Sequence, residues 1–163
     1  MIDLHTPIND SDLEKLSVGL KISVSGTIYT GRDAALPKLV KLIKEDSVPF
    51  DLNGSVIMHT AVSDAGIAPT TSSKKEIEST IPILSENGVK IHIGKGILGC
   101  ESIKALKDNN SIFVITPPVA ALLTSKVLKK ECVLFENEGI EAMYKLNVKK
   151  IPGIVAIQDL KRI

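Results

Sequence analysis

The stretch NGVKIHIGKGILGCESIKALKDNNSIFVITPP, Asn87 to Pro118, decides the fold class. It opens on an Asn-Gly turn signal and enters Val89 to Ile93, where β-branched residues alternate with Lys90 and His92, the pattern of a strand. A glycine-flanked loop, Ile93-Gly94-Lys95-Gly96, leads into helical periodicity over Glu101 to Lys107. After a turn at Asn109-Asn110, a second apolar strand runs from Ser111 to Thr116. Strand, helix and strand in this order form the unit of an α/β layer, because a crossover helix lets two strands run parallel.

The same reading extends outward. Further strands are expected at Lys21 to Tyr29, Ser55 to Thr60, Glu131 to Phe135 and Gly153 to Ile157. Helices are expected at Asp10 to Leu16, Lys74 to Leu84, Val119 to Lys129 and Ile140 to Asn147. In the helix after Pro37, Leu39, Leu42 and Ile43 share one face, while Lys38, Lys41, Lys44 and Glu45 point outward. The fold class is therefore α/β, layered, with a largely parallel sheet in the second half of the chain. No repeat or linker divides residues 1–163, so one domain is expected.

Composition narrows the function. Apolar residues are 44% and charged residues 24%, as in a globular domain with a real core. The 20 basic and 19 acidic residues leave a net charge of +1, which gives no field for nucleic acid or an anionic membrane. An aromatic content of 3% also argues against base stacking. The amino terminus has acidic and polar residues where a signal peptide carries a basic flank and an apolar run, so a cytoplasmic location is expected. The apolar run Ile112 to Leu123 is broken by Pro117 and Pro118 and is too short to span a bilayer. Cys100 and Cys132 show no metal-ligand spacing and read as buried, reduced thiols; this chain is expected to bind no metal or cofactor itself.

Three loops carry candidate chemistry. In Ser25 to Ala35, Gly31 permits a sharp turn before Arg32, whose planar fork suits a carboxylate; the alternative is a helix-opening turn in which Arg32 pairs with Asp33. In Ala68 to Lys75, the hydroxyls of Thr70, Thr71, Ser72 and Ser73 precede a helix and either face an anion or cap the helix. In Ile93 to Gly96, glycines expose the ammonium of Lys95, although the loop is too short for a P-loop. Together they put Arg32, Lys74 and Lys95 at successive strand ends, where α/β proteins bind ligands. His5 and His59 carry no functional reading, and His92, between Ile91 and Ile93, is expected to point to solvent.

The motifs SGTIYTGRDAA, PFDLNG, PTTSS and IGKG, the AALL after Pro118 and the closing EGIEAMYKLNVKKIPGIVAI, in this order, resemble the beta subunit or C-terminal domain of class I fumarate hydratases and L-tartrate dehydratases. The likeness covers nearly the whole chain. It implies a swivelling β/β/α domain and reversible hydration of fumarate to malate. It further implies a [4Fe-4S] cluster held by three cysteines of a cluster-binding alpha subunit, where the uncoordinated iron acts as a Lewis acid on the substrate. By motif position, Arg32 and Lys95 would bind the dicarboxylate, with Lys74 beside them, and Thr70 would move the proton at carbon. Thr70 is a poor base alone, so that role requires a cation such as Lys95 to stabilise its alkoxide. Alpha and beta chains are expected to pair, and the pairs to dimerise.

Departures from the family pattern are also legible. Leu36 stands where the family has His, Ala68 where it has Gly, and Lys74 where it has Arg; the segment HTAVSDAGIA is short. These leave three readings: a fumarate hydratase beta subunit, a tartrate or other hydroxy-dicarboxylate dehydratase beta subunit, and a non-catalytic paralogue that binds a partner or small anion.

Overall fold

Alternation of aliphatic residues along the strands demands two covered faces, and the chain supplies them by closing its main sheet. The computed structural model describes residues 1–117 and 119–163; Pro118, which with Pro117 interrupts the apolar run, lies outside the described residues. The elements in order are β1 (Ile2–His5), α1 (Asp10–Glu14), β2 (Lys21–Thr30), α2 (Leu36–Lys44), β3 (Ser55–Met58), β4 (Thr60–Ser63), β5 (Gly66–Pro69), α3 (Lys75–Glu78) and α4 (Ile81–Glu86). There follow β6 (Val89–Gly94), α5 (Cys100–Asp108), β7 (Ile112–Ile115), α6 (Ala120–Ser125), β8 (Val127–Leu134), a 3-10 turn over Glu136–Glu141, β9 (Met143–Gln158) and β10 (Lys161–Arg162).

Strands β1, β2, β3, β6 and β7 pair in parallel, in the order β1-β2-β3-β6-β7. Strand β9 runs antiparallel to both β7 and β2, and its Ile154 is partnered by Ile115 on one side and Lys21 on the other. The pairings β2, β3, β6, β7, β9 and back to β2 therefore form a ring. Ile22, Val24, Ile28, Val56, Met58, Ile91, Ile93, Val114, Leu146, Val148 and Val155 belong to one buried cluster, as period-2 alternation on a closed sheet requires. The alternate residues meet the helices: Ile57 and Val89 pack with Leu36, Leu39 and Leu84, and Phe113 and Ile157 with Ile81 and Leu106.

Several expectations from the sequence are corrected. The sheet is partly parallel, but its parallel portion ends at β7, and β8, β9 and β10 are antiparallel. The helix expected over Ile140 to Asn147 is instead the end of the 3-10 turn and the start of β9, because Leu146 and Val148 face the interior of the ring while Lys145 and Asn147 face outward. The helix expected over Val119 to Lys129 ends at Ser125; from Val127 the chain pairs with β9 as a largely exposed outer strand. The helix expected over Lys74 to Leu84 is broken into α3 and α4, since Pro82 lacks a backbone N–H and is tolerated only in a first helical turn. The segment after His59 is a hairpin, β4–β5, whose Thr60 hydroxyl donates to Ala68 O at 2.9 Å.

The seam between β7 and β9 admits no side chain at Gly153, where a Cβ would lie 2.4 Å from Val114 Cγ1 and 3.2 Å from the Ile115 carbonyl oxygen. Overpacking a stiff, buried valine costs about 1–3 kcal/mol. Gly153→Ala is expected to lower the urea-unfolding free energy by that amount, while the conservative surface change Lys161→Arg leaves it unchanged.

Candidate functional site

The parallel strands deliver their carboxyl ends to one rim. Beyond β2, the Gly31 amide donates to Met58 O at 3.1 Å, extending the β2–β3 pairing up to Arg32. Gly31 is needed for close packing, since a Cβ there would lie 2.6 Å from Leu36 Cδ2; its backbone is not in the left-handed region. Leu36 is fully buried in the apolar cluster behind this turn. It offers neither a proton nor a carboxylate contact.

At the end of β3, His59 organises the next loop. Its amide donates to Ile93 O at 2.7 Å, and its carbonyl accepts from the Thr70 amide at 2.8 Å and from Thr70 Oγ1 at 3.2 Å. Thr71 then bridges Lys95 in parallel register, and the Ser72 amide donates to Lys95 O at 2.6 Å. The Ser72 hydroxyl hydrogen-bonds His59 Nδ1. Gly94 makes this seating possible, because a Cβ there would fall 1.9 Å from Ser72 Oγ and 2.8 Å from His59 Nδ1.

Thr70 and Lys95 are thus held on two loops paired backbone to backbone. Thr70 is half-buried and Lys95 exposed, and Lys95 makes no ion pair with a described residue. The hydroxyls do not cap a helix: α3 begins after Lys74 with no side-chain cap, and exposed Lys74 lies at that boundary. Arg32 sits at the neighbouring strand end with carboxylates around it, its Nε 3.5 Å from Glu141 Oε1 and 3.7 Å from Asp33 Oδ1. These contacts are coulombic, too long to be hydrogen bonds, and all three atoms are buried without a hydrogen-bond partner.

His92 does not reach solvent. Strand β6 lies mid-sheet with both faces covered, so His92 is fully buried and its Nε2 meets Ser85 Oγ of α4 at 2.8 Å. The ring centroids of His59 and His92 are 6.2 Å apart. Burial pushes both imidazoles down to about 3, and at His92 the neighbouring His59 adds to the effect. His59, which carries no functional reading in the sequence, has one signal there: it is a lone polar residue closing the apolar run Val56-Ile57-Met58.

Residues 1–161 match the family described as Fumarase C-terminus. The chain belongs to that family. It is 31% identical over 166 residues to a putative L(+)-tartrate dehydratase subunit beta of Methanocaldococcus jannaschii, covering 93% of this chain and 84% of that one. The L(+)-tartrate dehydratase subunit beta of Escherichia coli is also 31% identical, with 94% and 81% covered. A putative class I fumarate hydratase of Geobacillus stearothermophilus is 31% identical over 173 residues, and there the match takes in 98% of this chain but 32% of the longer protein.

In this Fumarase C-terminus domain, Cys100 and Cys132 are exposed rather than buried, since Cys100 opens α5 at the surface and Cys132 lies on the outer strand β8. Among the described residues, no three His, Cys, Asp or Glu side chains converge as a metal site, so the donor set does not fit an iron-sulfur cluster. Nor is any described helix long and apolar enough to cross a membrane.

The buried histidines predict the pH response of the domain. Below the unfolded value of 6.5 the unfolded chain binds protons that folded His59 and His92 do not, so their contribution is complete above 6.5 and is lost as pH falls toward 3. Each withdraws about 1.4 kcal/mol of stability per pH unit in that window. Urea unfolding at a series of pH values is expected to give this slope, and His92→Gln to remove about half of it.

Proposed function

We propose that this domain is the beta subunit of an iron-sulfur hydro-lyase acting on a small dicarboxylate, with fumarate and malate as the leading pair. The observation that carries the reading is the stitching of the Thr70–Ser72 loop to the Gly94–Gly96 loop, which sets a hydroxyl and an ammonium on paired strand ends. Relatives named as separate beta subunits align along 84% and 81% of their lengths, which supports a heteromer with a companion alpha subunit. The cluster is assigned to that companion, in keeping with the described residues, among which no three His, Cys, Asp or Glu side chains converge as a metal site. The ring-closed sheet with helices outside it is compatible with the swivelling β/β/α architecture.

In this reading Lys95 binds a substrate carboxylate as a point charge, and Arg32 offers its terminal nitrogens to the other carboxylate. Lys74 adds positive potential from the start of α3. Thr70 handles the proton at the carbon next to a carboxylate. Its hydroxyl donates to the His59 carbonyl at rest, so it must leave that acceptor to take part, and the Lys95 ammonium stabilises the oxygen when it does. Fixed cations aimed at the developing enediolate are the larger contribution, with a single donor worth about 3 kcal/mol. No residue of this chain is assigned to the departing hydroxyl.

A second reading, tartrate in place of fumarate, is favoured by the names of two relatives. Anaerobic co-expression with the cluster-binding subunit, followed by absorbance assays on fumarate and L-tartrate, separates the two. The isolated chain is expected to be inactive, and turnover by it alone would overturn the subunit reading. In the complex, Thr70→Ala and Lys95→Ala are each expected to lower kcat by about 10²–10³-fold with assembly intact. Near-normal rates in both would overturn the site assignment, and a folded, assembled wild-type complex inactive on both acids would favour the non-catalytic paralogue.

A further inference from the structure

We propose that the imidazole of His59 is a positioning residue for the Thr70–Lys95 pair, acting through Ser72; the inference rests on the functional reading above. His59 is fully buried, and its Nδ1 holds the Ser72 hydroxyl while the Ser72 amide holds the Lys95 carbonyl. The imidazole thereby ties the end of β3 to the hydroxyl loop, whose Ser72 amide is paired with the lysine loop, in space that Gly94 leaves open. The Thr70 amide and hydroxyl bind the backbone of the same histidine, so both catalytic candidates are referenced to one residue.

The chemistry suits a fixed strut rather than an acid or base. Nothing from solvent reaches the ring, and its Nε2 has no partner among the described residues, so the imidazole cannot pass a proton toward substrate through that nitrogen. His59 Nδ1 and Ser72 Oγ can share a hydrogen in either direction, so the bond survives whichever ring nitrogen carries the proton. A buried hydroxyl left without this bond would leave the loop to seek other partners. The Thr70 oxygen would then lose its registration against Lys95. Displacement of a reacting group by about 1 Å costs roughly 10²-fold in rate.

The test uses the active complex with its companion subunit and, in parallel, the isolated chain. His59→Leu and Ser72→Ala each remove the bond, the second with little change in volume, so that one variant remains informative if the other fails to fold. Both are expected to lower kcat by about 10–100-fold while KM for the dicarboxylate changes by less than about threefold. His59→Asn, which places an amide near the Nδ1 position, is expected to restore most of the rate, and the double variant His59→Leu/Ser72→Ala to be no worse than either single change. In the isolated chain, the Ser72 amide should exchange with deuterium about tenfold faster in His59→Leu. Wild-type kcat in a folded Ser72→Ala complex, or no rescue by Asn, would overturn the proposal. Absence of turnover in the wild-type complex fails the functional reading instead, and unchanged Ser72 exchange then fails the positioning role independently.

Discussion

Strand β9 is the element on which the rest of the domain depends. A parallel sheet in the order β1-β2-β3-β6-β7 would leave its last strand as an open edge with unpaired backbone groups. By pairing β7 along one side and β2 along the other, β9 removes that edge and encloses the aliphatic faces of all the ring strands in one cluster. Burying a single Val, Leu or Ile contributes about 1.5–3 kcal/mol, so a shared interior couples the strands strongly. The functional consequence is geometric. With β2, β3 and β6 locked in adjacent parallel register, the chain segments leaving them emerge on the same rim without any dedicated scaffold.

On that rim, backbone approach governs as much as side-chain chemistry. Gly94 is buried at the end of β6 and leaves room for a hydroxyl and an imidazole from the neighbouring strand end. Filling this space with polar groups is costly unless they bond to each other, and Ser72 with His59 and Ser85 with His92 meet that requirement with neutral rings. The layer behind the loops is therefore polar and uncharged, each ring held through one nitrogen. Such a layer can hold loops in register without placing a competing charge next to an anionic ligand.

Much of this was legible in the residues, and the failures have physical causes. The unit from Val89 to Ile115 and strand β2 follow from alternation and turn signals; Arg32 and Lys95 closely follow β2 and β6, whereas Lys74, expected at a strand end beside them, lies beyond β5 at the start of α3. The segment 140–147 reads as a helix because Ile140, Met143 and Tyr144 recur at helical spacing, and only the docking of Leu146 and Val148, two residues apart, inside the ring reveals the strand. The environment of His92 depends on which helix covers β6. Ring closure and the contact of Ser72 with His59 join positions far apart in spacing or unremarkable by type, so no local pattern could announce them.

The cations at the rim are not equivalent, and this bears on how a dicarboxylate would be gripped. Arg32 is neutralised at Nε by Asp33 and Glu141, each at a separation where attraction persists without a hydrogen bond. Partly exposed pairs of this kind contribute about 0–1 kcal/mol, whereas a charge-assisted, bidentate carboxylate contact contributes more. On the proposed reading a substrate carboxylate would therefore gain by engaging the terminal nitrogens of the fork while the two acidic side chains keep the guanidinium plane oriented. Lys95, which makes no ion pair with a described residue, would carry the larger unbalanced charge. An oriented fork on one strand end and an exposed point charge on another would bind the two ends of a small dianion unequally, and that inequality is what a reaction needs when only one carboxylate must accept developing enediolate charge.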